Sequence, residues 1–167
     1  MPVSDFTHID PQGRVRMVDV GDKPTTDRHA LAQAVVVMQP DTLKRIQDQT
    51  VKKGNVLETA RIAGVMAAKQ TSALIPMCHP LHLAHVQVDF FPDLPRARIR
   101  IEAAVRILDR TGAEMEALTA AAVSALTIYD MCKSLDREMQ ITDIWLVTKS
   151  GGKSGIYRRA HTAGSGG

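Results

Sequence analysis

Residues 97–108, ARIRIEAAVRIL, alternate with a period of two. Ala97, Ile99, Ile101, Ala103, Val105 and Ile107 fall on one side, and Arg98, Arg100, Glu102 and Arg106 on the other. This pattern predicts an antiparallel strand with one buried face. Residues 84–91 alternate in the same way, and Pro92-Asp93-Leu94-Pro95 predicts the turn between the two. Upstream, 28–38 (RHALAQAVVVM) ends in three consecutive valines and predicts a first strand. Residues 141–147 predict a last one.

Between the strands the period changes. Pro40 and Asp41 predict the start of a short helix through Ile46. Asn55, followed three residues on by Glu58, has the spacing of a helix N-cap, and the helix is expected from Val56 to about Leu74. Pro80 biases His79 toward extended backbone. The longest predicted helix, 113–136, holds the uncharged run ALTAAAVSALTIY, and a helix apolar all round is buried on most sides. Residues 1–27 predict a loop-rich arm with an extended piece at 17–20, and 159–167 a disordered tail. The core, 28–158, reads β-α-(α)-β-β-α-β within one domain. That order predicts an α+β, ferredoxin-like split βαβ sandwich, an antiparallel sheet with helices on one face. The Arg-rich outer face of 98–106 would meet solvent or a partner subunit.

Composition narrows the class. Of 167 residues, 44% are hydrophobic and 23% charged, which excludes a disordered or fibrous chain. Aromatics are only 4%, the formal charge is +3, and no basic stripe interleaves with aromatics, so nucleic acid is not the expected partner. Cys78 and Cys132 lie far apart and predict no disulfide, in keeping with a cytoplasmic location. No apolar run reaches the ~18 residues that cross a bilayer. The start of the chain has no apolar signal segment.

Three groups could carry chemistry. Asp130 and Lys133, three apart at the end of the uncharged helix, suit either an acid/base pair with mutually perturbed pKa values or a surface salt bridge. Glu114 and Glu116 open the same helix, where carboxylates favour the dipole. The run KSGGKSG (149–155) lacks the glycine a Walker loop needs at Val147, and leaves a lysine-bearing loop able to bind phosphate through backbone amides. Lys52 and Lys53, before a helix start, are a second anion candidate. Cys78, His79, His82 and His85 raise a metal reading, but their spacing fits no metal motif and Pro80 keeps them off one helical face. His79 suits substrate binding or proton transfer better. Together these suggest a phosphate-bearing small substrate handled by general acid/base catalysis.

The strings MVDV (17–20), KGNV (53–56), TARIAG (59–64), IPMCHPL (75–81), the run 111–133 and KSGGKSG (149–155) resemble those of the MoaC-type cyclic pyranopterin monophosphate synthases of molybdenum cofactor biosynthesis. The resemblance implies a lyase that converts a cyclised dihydroguanosine triphosphate, derived from GTP, to cyclic pyranopterin monophosphate and diphosphate. It implies a ferredoxin-like fold and a homohexamer, a trimer of dimers with the active site at a dimer interface. No cofactor is required, although Mg²⁺ can accompany the triphosphate, and no metal site is implied. By position, Asp130, Lys133 and Lys53 correspond to the catalytic residues. Met77, Cys78, His79, Glu114, Met115, Glu116, Arg28 and Lys149 correspond to the substrate-binding ones, with Lys52 and Lys153 more weakly matched. Deep burial would bring the Lys133 ammonium toward neutrality. Two rival classes are a non-catalytic nucleotide- or RNA-binding module and a metal-dependent hydrolase built on the Cys/His segment.

Overall fold

A computed structural model describes residues 12–160. Its elements run β1 (Thr26–Val37), α1 (Pro40–Gln47), α2 (Val56–Lys69), α3 (Thr71–Leu74), β2 (Leu83–Asp93), β3 (Arg98–Asp109), α4 (Glu114–Cys132), β4 (Gln140–Ser150) and β5 (Tyr157–Arg158). The sheet order is β2-β3-β1-β4-β5, every pair antiparallel. The first four of these strands, with α2 and α4 as crossovers, form the ferredoxin-like α+β sandwich.

The alternation read from the sequence sets the register. Ala32 of β1 lies opposite Ala103 of β3, which in turn faces Val88 of β2. Ile99, Ile101, Ala103, Val105 and Ile107 are buried beneath the helices, and Arg98, Arg100 and Arg106 stand on the far side. There Arg100 stacks on Phe91 and Arg159 on Trp145. Pro92, which has no N–H to give, is tolerated because β2 is an edge strand.

Helix α4 lies across β1, β3 and β4 and packs along α2. The two helices approach closely because small residues meet: a Cβ on Gly64 would stand 2.2 Å from Ser124 Oγ and 3.1 Å from the Ala120 carbonyl. Ser124 Oγ donates to the Ala60 carbonyl at 3.1 Å. Ala117, Ala120, Ala121, Ala125 and Ile128 are fully buried, whereas Leu126 is 57% exposed, so α4 keeps an apolar outward side.

Several boundaries differ from the sequence expectation. The 56–74 helix is interrupted at Gln70 (φ −104°, ψ 5°), where Gln70 N bonds to the Ala67 carbonyl and the last turn restarts as α3. Helix α4 stops at Cys132 rather than at 136, because Asp136 is turned inward. Its buried carboxylate accepts from Gln39 N at 2.8 Å, capping the start of α1, and from Glu138 N at 3.0 Å. Pro92 and Asp93 pair within the hairpin, so the turn falls at 94–97. Ala97 therefore leaves the buried face and takes a left-handed φ of 46°. Residues 17–20 join no strand, and the short β5 had no periodic signal. The tail expected from 159 is described only through 160.

Gly64→Ala should lower stability by about 1–3 kcal/mol through overpacking against Ser124 and Ala120. Urea unfolding checks this. Adding Ser124→Ala, which removes the nearer obstacle, should recover part of the loss.

Candidate active site

The sequence-predicted residues gather at the two ends of α4. Around its N-terminal end are two adjoining depressions. One, of about 370 Å³, is lined by Met77, Cys78, His79, Met115, Glu116 and residues of the N-terminal arm. The other, of about 590 Å³, is lined by Lys23, Arg28, Arg110, Lys149, Lys153 and Ser154. Lys23, Thr111, Gly112 and Glu114 border both, so the two form one continuous cleft.

The first chamber carries an acid. Pro76 and Pro80 bracket a non-helical segment that brings Met77, Cys78 and His79, all half-buried, to face α4. Glu116, in the first turn of α4, is 3% exposed, so burial acts on it as well as the helix dipole. Burial, reinforced by the nearby Glu114 charge, pushes its carboxyl up to about 7. The Cys78 thiol is also raised, first by burial and then by the Glu116 charge, and is a packing group rather than a nucleophile.

The second chamber is cationic and held open by Arg28. The Arg28 guanidinium donates from Nε to the Asp109 carbonyl at 3.0 Å and from Nη2 to the Arg110 carbonyl at 2.9 Å. Gly151 and Gly152, both at positive φ, close over it, and a Cβ on Gly152 would stand 2.3 Å from Arg28 Nη1. Arg28 thus ties the β3 end to the loop after β4. Lys149 Nζ lies 3.0 Å from Glu114 Oε1 and donates to Ser154 Oγ at 2.7 Å. Thr26 Oγ1, also in this chamber, is a buried side-chain oxygen without a partner among the described residues.

The other end of α4 carries the charged triad. Asp130 Oδ1 is 2.7 Å from Lys133 Nζ, and Asp130 Oδ2 is 3.3 Å from Lys53 Nζ. Lys53 also donates to the Asp130 carbonyl at 2.7 Å, satisfying a helix C-terminal acceptor from the turn before α2. The Lys133 and Lys53 contacts hold the Asp130 carboxyl below its usual range, and Asp130 raises Lys133. The expected burial and lowered Lys133 pKa are therefore not found in this chain. Side-chain exposures of 59% for Asp130 and 52% for Lys133 keep solvent in place of the dry environment that would neutralise an ammonium.

Glu114 and Asp130 are sixteen residues apart, so a rigid helix separates the two clusters by about 24 Å. The chain alone does not bring them together. Nor does it gather the Cys/His segment: His79 faces the chamber, while His85 lies on the outer sheet face beside Gln87. Among the described residues no group of three or more His, Cys, Asp or Glu could hold a metal ion. Sequence reading did not reach Lys23 and Arg110, which sit in aperiodic segments that tertiary contacts alone bring to the cleft.

Residues 17–152 match the family model described as the MoaC family. The chain belongs to the MoaC family. It is 65% identical over 155 residues to a cyclic pyranopterin monophosphate synthase of Desulfatibacillum aliphaticivorans, covering 93% of this chain and 98% of that protein. It is 64% identical to the synthase of Desulforapulum autotrophicum (93% and 95% covered) and 60% to that of Syntrophomonas wolfei (90% and 96%). All the residues of the two chambers and the charged triad except Lys153 and Ser154 lie inside the MoaC match.

Because the Glu116 carboxyl is raised from 4.5 to about 7 in the folded chain, the fold should lose stability as pH rises across that interval. The loss is about 3 kcal/mol, complete above the folded value. Glu116→Gln should flatten this slope, so that urea unfolding at pH 5 and pH 8 shows the variant gaining on the wild type at the higher pH.

Proposed function

We propose that this chain is a cyclic pyranopterin monophosphate synthase, a lyase of molybdenum cofactor biosynthesis. The observation that carries the reading is the 65% identity to a synthase of that name across 93% of the chain. The substrate is a cyclised dihydroguanosine triphosphate, and the products are cyclic pyranopterin monophosphate and diphosphate. The cleft suits that molecule. Lys149, Lys153 and Lys23 supply cations for a triphosphate, and the adjoining chamber offers His79 and the Glu116 carboxyl to a heterocycle rich in N–H groups and acceptors. Arg28 contributes charge and the shape of the wall. Asp130, Lys133 and Lys53 exchange protons as the purine five-membered ring opens and the pterin closes. When the sugar hydroxyl attacks the α-phosphorus, its proton passes to that set, and the cations offset charge on the departing diphosphate.

The same geometry supports a site shared between copies. A substrate of this size cannot touch both ends of α4 in one copy, so the Asp130 end of one subunit completes the His79 end of another. The exposed apolar side chains Ile62, Met66 and Leu126 on the outward helix surfaces supply the matching contact area. We assign the oligomer as a homohexamer, a trimer of dimers. The reading calls for no cofactor of the protein's own, and any Mg²⁺ enters with the triphosphate. Among the described residues no helix is long and apolar enough to cross a membrane. Two thiols left unpaired and a GTP-derived substrate suit the cytoplasm.

Metal-free incubation with the cyclised triphosphate, followed by mass spectrometry, should show diphosphate and the pterin in equal amounts. Binding without product would defeat the assignment. Asp130→Ala and Lys133→Ala should each lose about a thousandfold or more in kcat while remaining assembled, with strongly non-additive losses. A near-normal Asp130→Ala rate would remove the catalytic set. Random mixing of Asp130→Ala with His79→Ala chains should restore about a quarter of wild-type activity if each site joins two copies.

A further inference from the structure

We propose that Arg110 is a positioning residue for this site, latching the arm segment 18–23 to the end of β3 so that Lys23 is presented to both chambers. The inference rests on the reading of the cleft as the triphosphate site. The segment has no strand or helix of its own to hold it. Its internal bonds are local: Gly21 N donates to Asp19 Oδ1 at 2.8 Å, and Lys23 N to the Val20 carbonyl at 3.1 Å, which shape a turn. From outside the segment, Arg110 Nη1 donates to the Gly21 carbonyl at 2.7 Å. The turn so held lines the heterocycle chamber with Val18 and Val20, and both chambers with Lys23.

Arg110 is itself fixed at both ends of its main chain. Its carbonyl accepts from Arg28 Nη2 and its N–H donates to Asp109 Oδ1. The chain of contacts therefore runs from Arg28, anchored on β1, through the backbone of Arg110 to its guanidinium and on to Gly21. One N–H of the Arg110 guanidinium is thereby spent on a backbone carbonyl at the edge of the basic cleft. Lys149 and Lys153, which the same cleft offers, are the direct anion ligands, and Arg110 acts through Lys23.

A double-mutant cycle separates the two roles. Inorganic diphosphate is titrated calorimetrically into the full-length assembled protein, and amide hydrogen exchange is followed over residues 18–23. Arg110→Ala and Lys23→Ala should each weaken diphosphate binding about tenfold, the size of one lost charge-assisted hydrogen bond. The double variant should be within about twofold of either single one, because both remove the same contact. Exchange at 18–23 should quicken in Arg110→Ala and not in Lys23→Ala, while β1 and α4 stay protected. Arg110→Lys should recover part of the affinity, and with the triphosphate Arg110→Ala should change KM and kcat by the same factors as Lys23→Ala. Additive losses would make Arg110 an independent phosphate ligand and overturn the proposal. Unchanged exchange at 18–23 in Arg110→Ala would also overturn it, whatever the binding does. A non-additive cycle with quickened exchange, in a wild-type protein that never turns over the triphosphate, would leave the latch standing and remove the synthase reading instead.

Discussion

The close approach of α2 and α4 is the constraint from which the site follows. Where Gly64 meets Ser124 and the Ala120 carbonyl, there is no room for a single methyl group, and the uncharged length of α4 is pressed onto the sheet. A helix held that way is a rigid strut. Its length is set by its residue count, and its charged groups are confined to its ends. Glu116 is placed at one end and Asp130 at the other, and nothing within the chain can shorten the distance between them. A reaction that uses both ends must be shared between copies.

The two ends also differ in their water. Glu116 is enclosed by Met77, Cys78 and the helix itself, so its charged form loses hydration and the carboxyl titrates near neutrality. Asp130 sits in solvent between two ammonium groups and is held ionised. The same residue class is thus tuned in opposite directions by burial and by pairing. One end carries a carboxyl poised near neutrality, and the other holds a fixed charge that only a covering surface could strip of its water. Covering would change the balance at Lys133 as well, since its present preference for the charged form rests on Asp130 and open solvent.

Glycine and arginine share the work at the cationic chamber. The loop after β4 looks from its sequence like a phosphate cradle, yet Gly151 and Gly152 are needed for a different reason. They let the backbone turn at positive φ over the Arg28 side chain, whose N–H groups are spent on the carbonyls of 109 and 110. The lysines of the loop, Lys149 and Lys153, are left facing the cleft. The arginine organises the wall and the lysines line it.

The amino-acid sequence by itself determined the architecture. Period-two alternation in 97–107 and 84–91, the valine run in β1 and the uncharged stretch of α4 leave one economical way to bury their apolar faces, and the order of elements supplies the topology. It also offered candidate site residues, because their strings match a family as a whole. Tertiary structure decided everything that depends on what lies beside a residue. It ended α4 early, because the Asp136 carboxylate is drawn to the start of α1. It turned Arg28 into a clamp, brought Lys23 and Arg110 to the cleft, made Glu116 a near-neutral acid and left the Asp130–Lys133 pair in water. Periodicity reports which face a side chain takes, but hydration and hydrogen-bond partners come from segments distant along the chain.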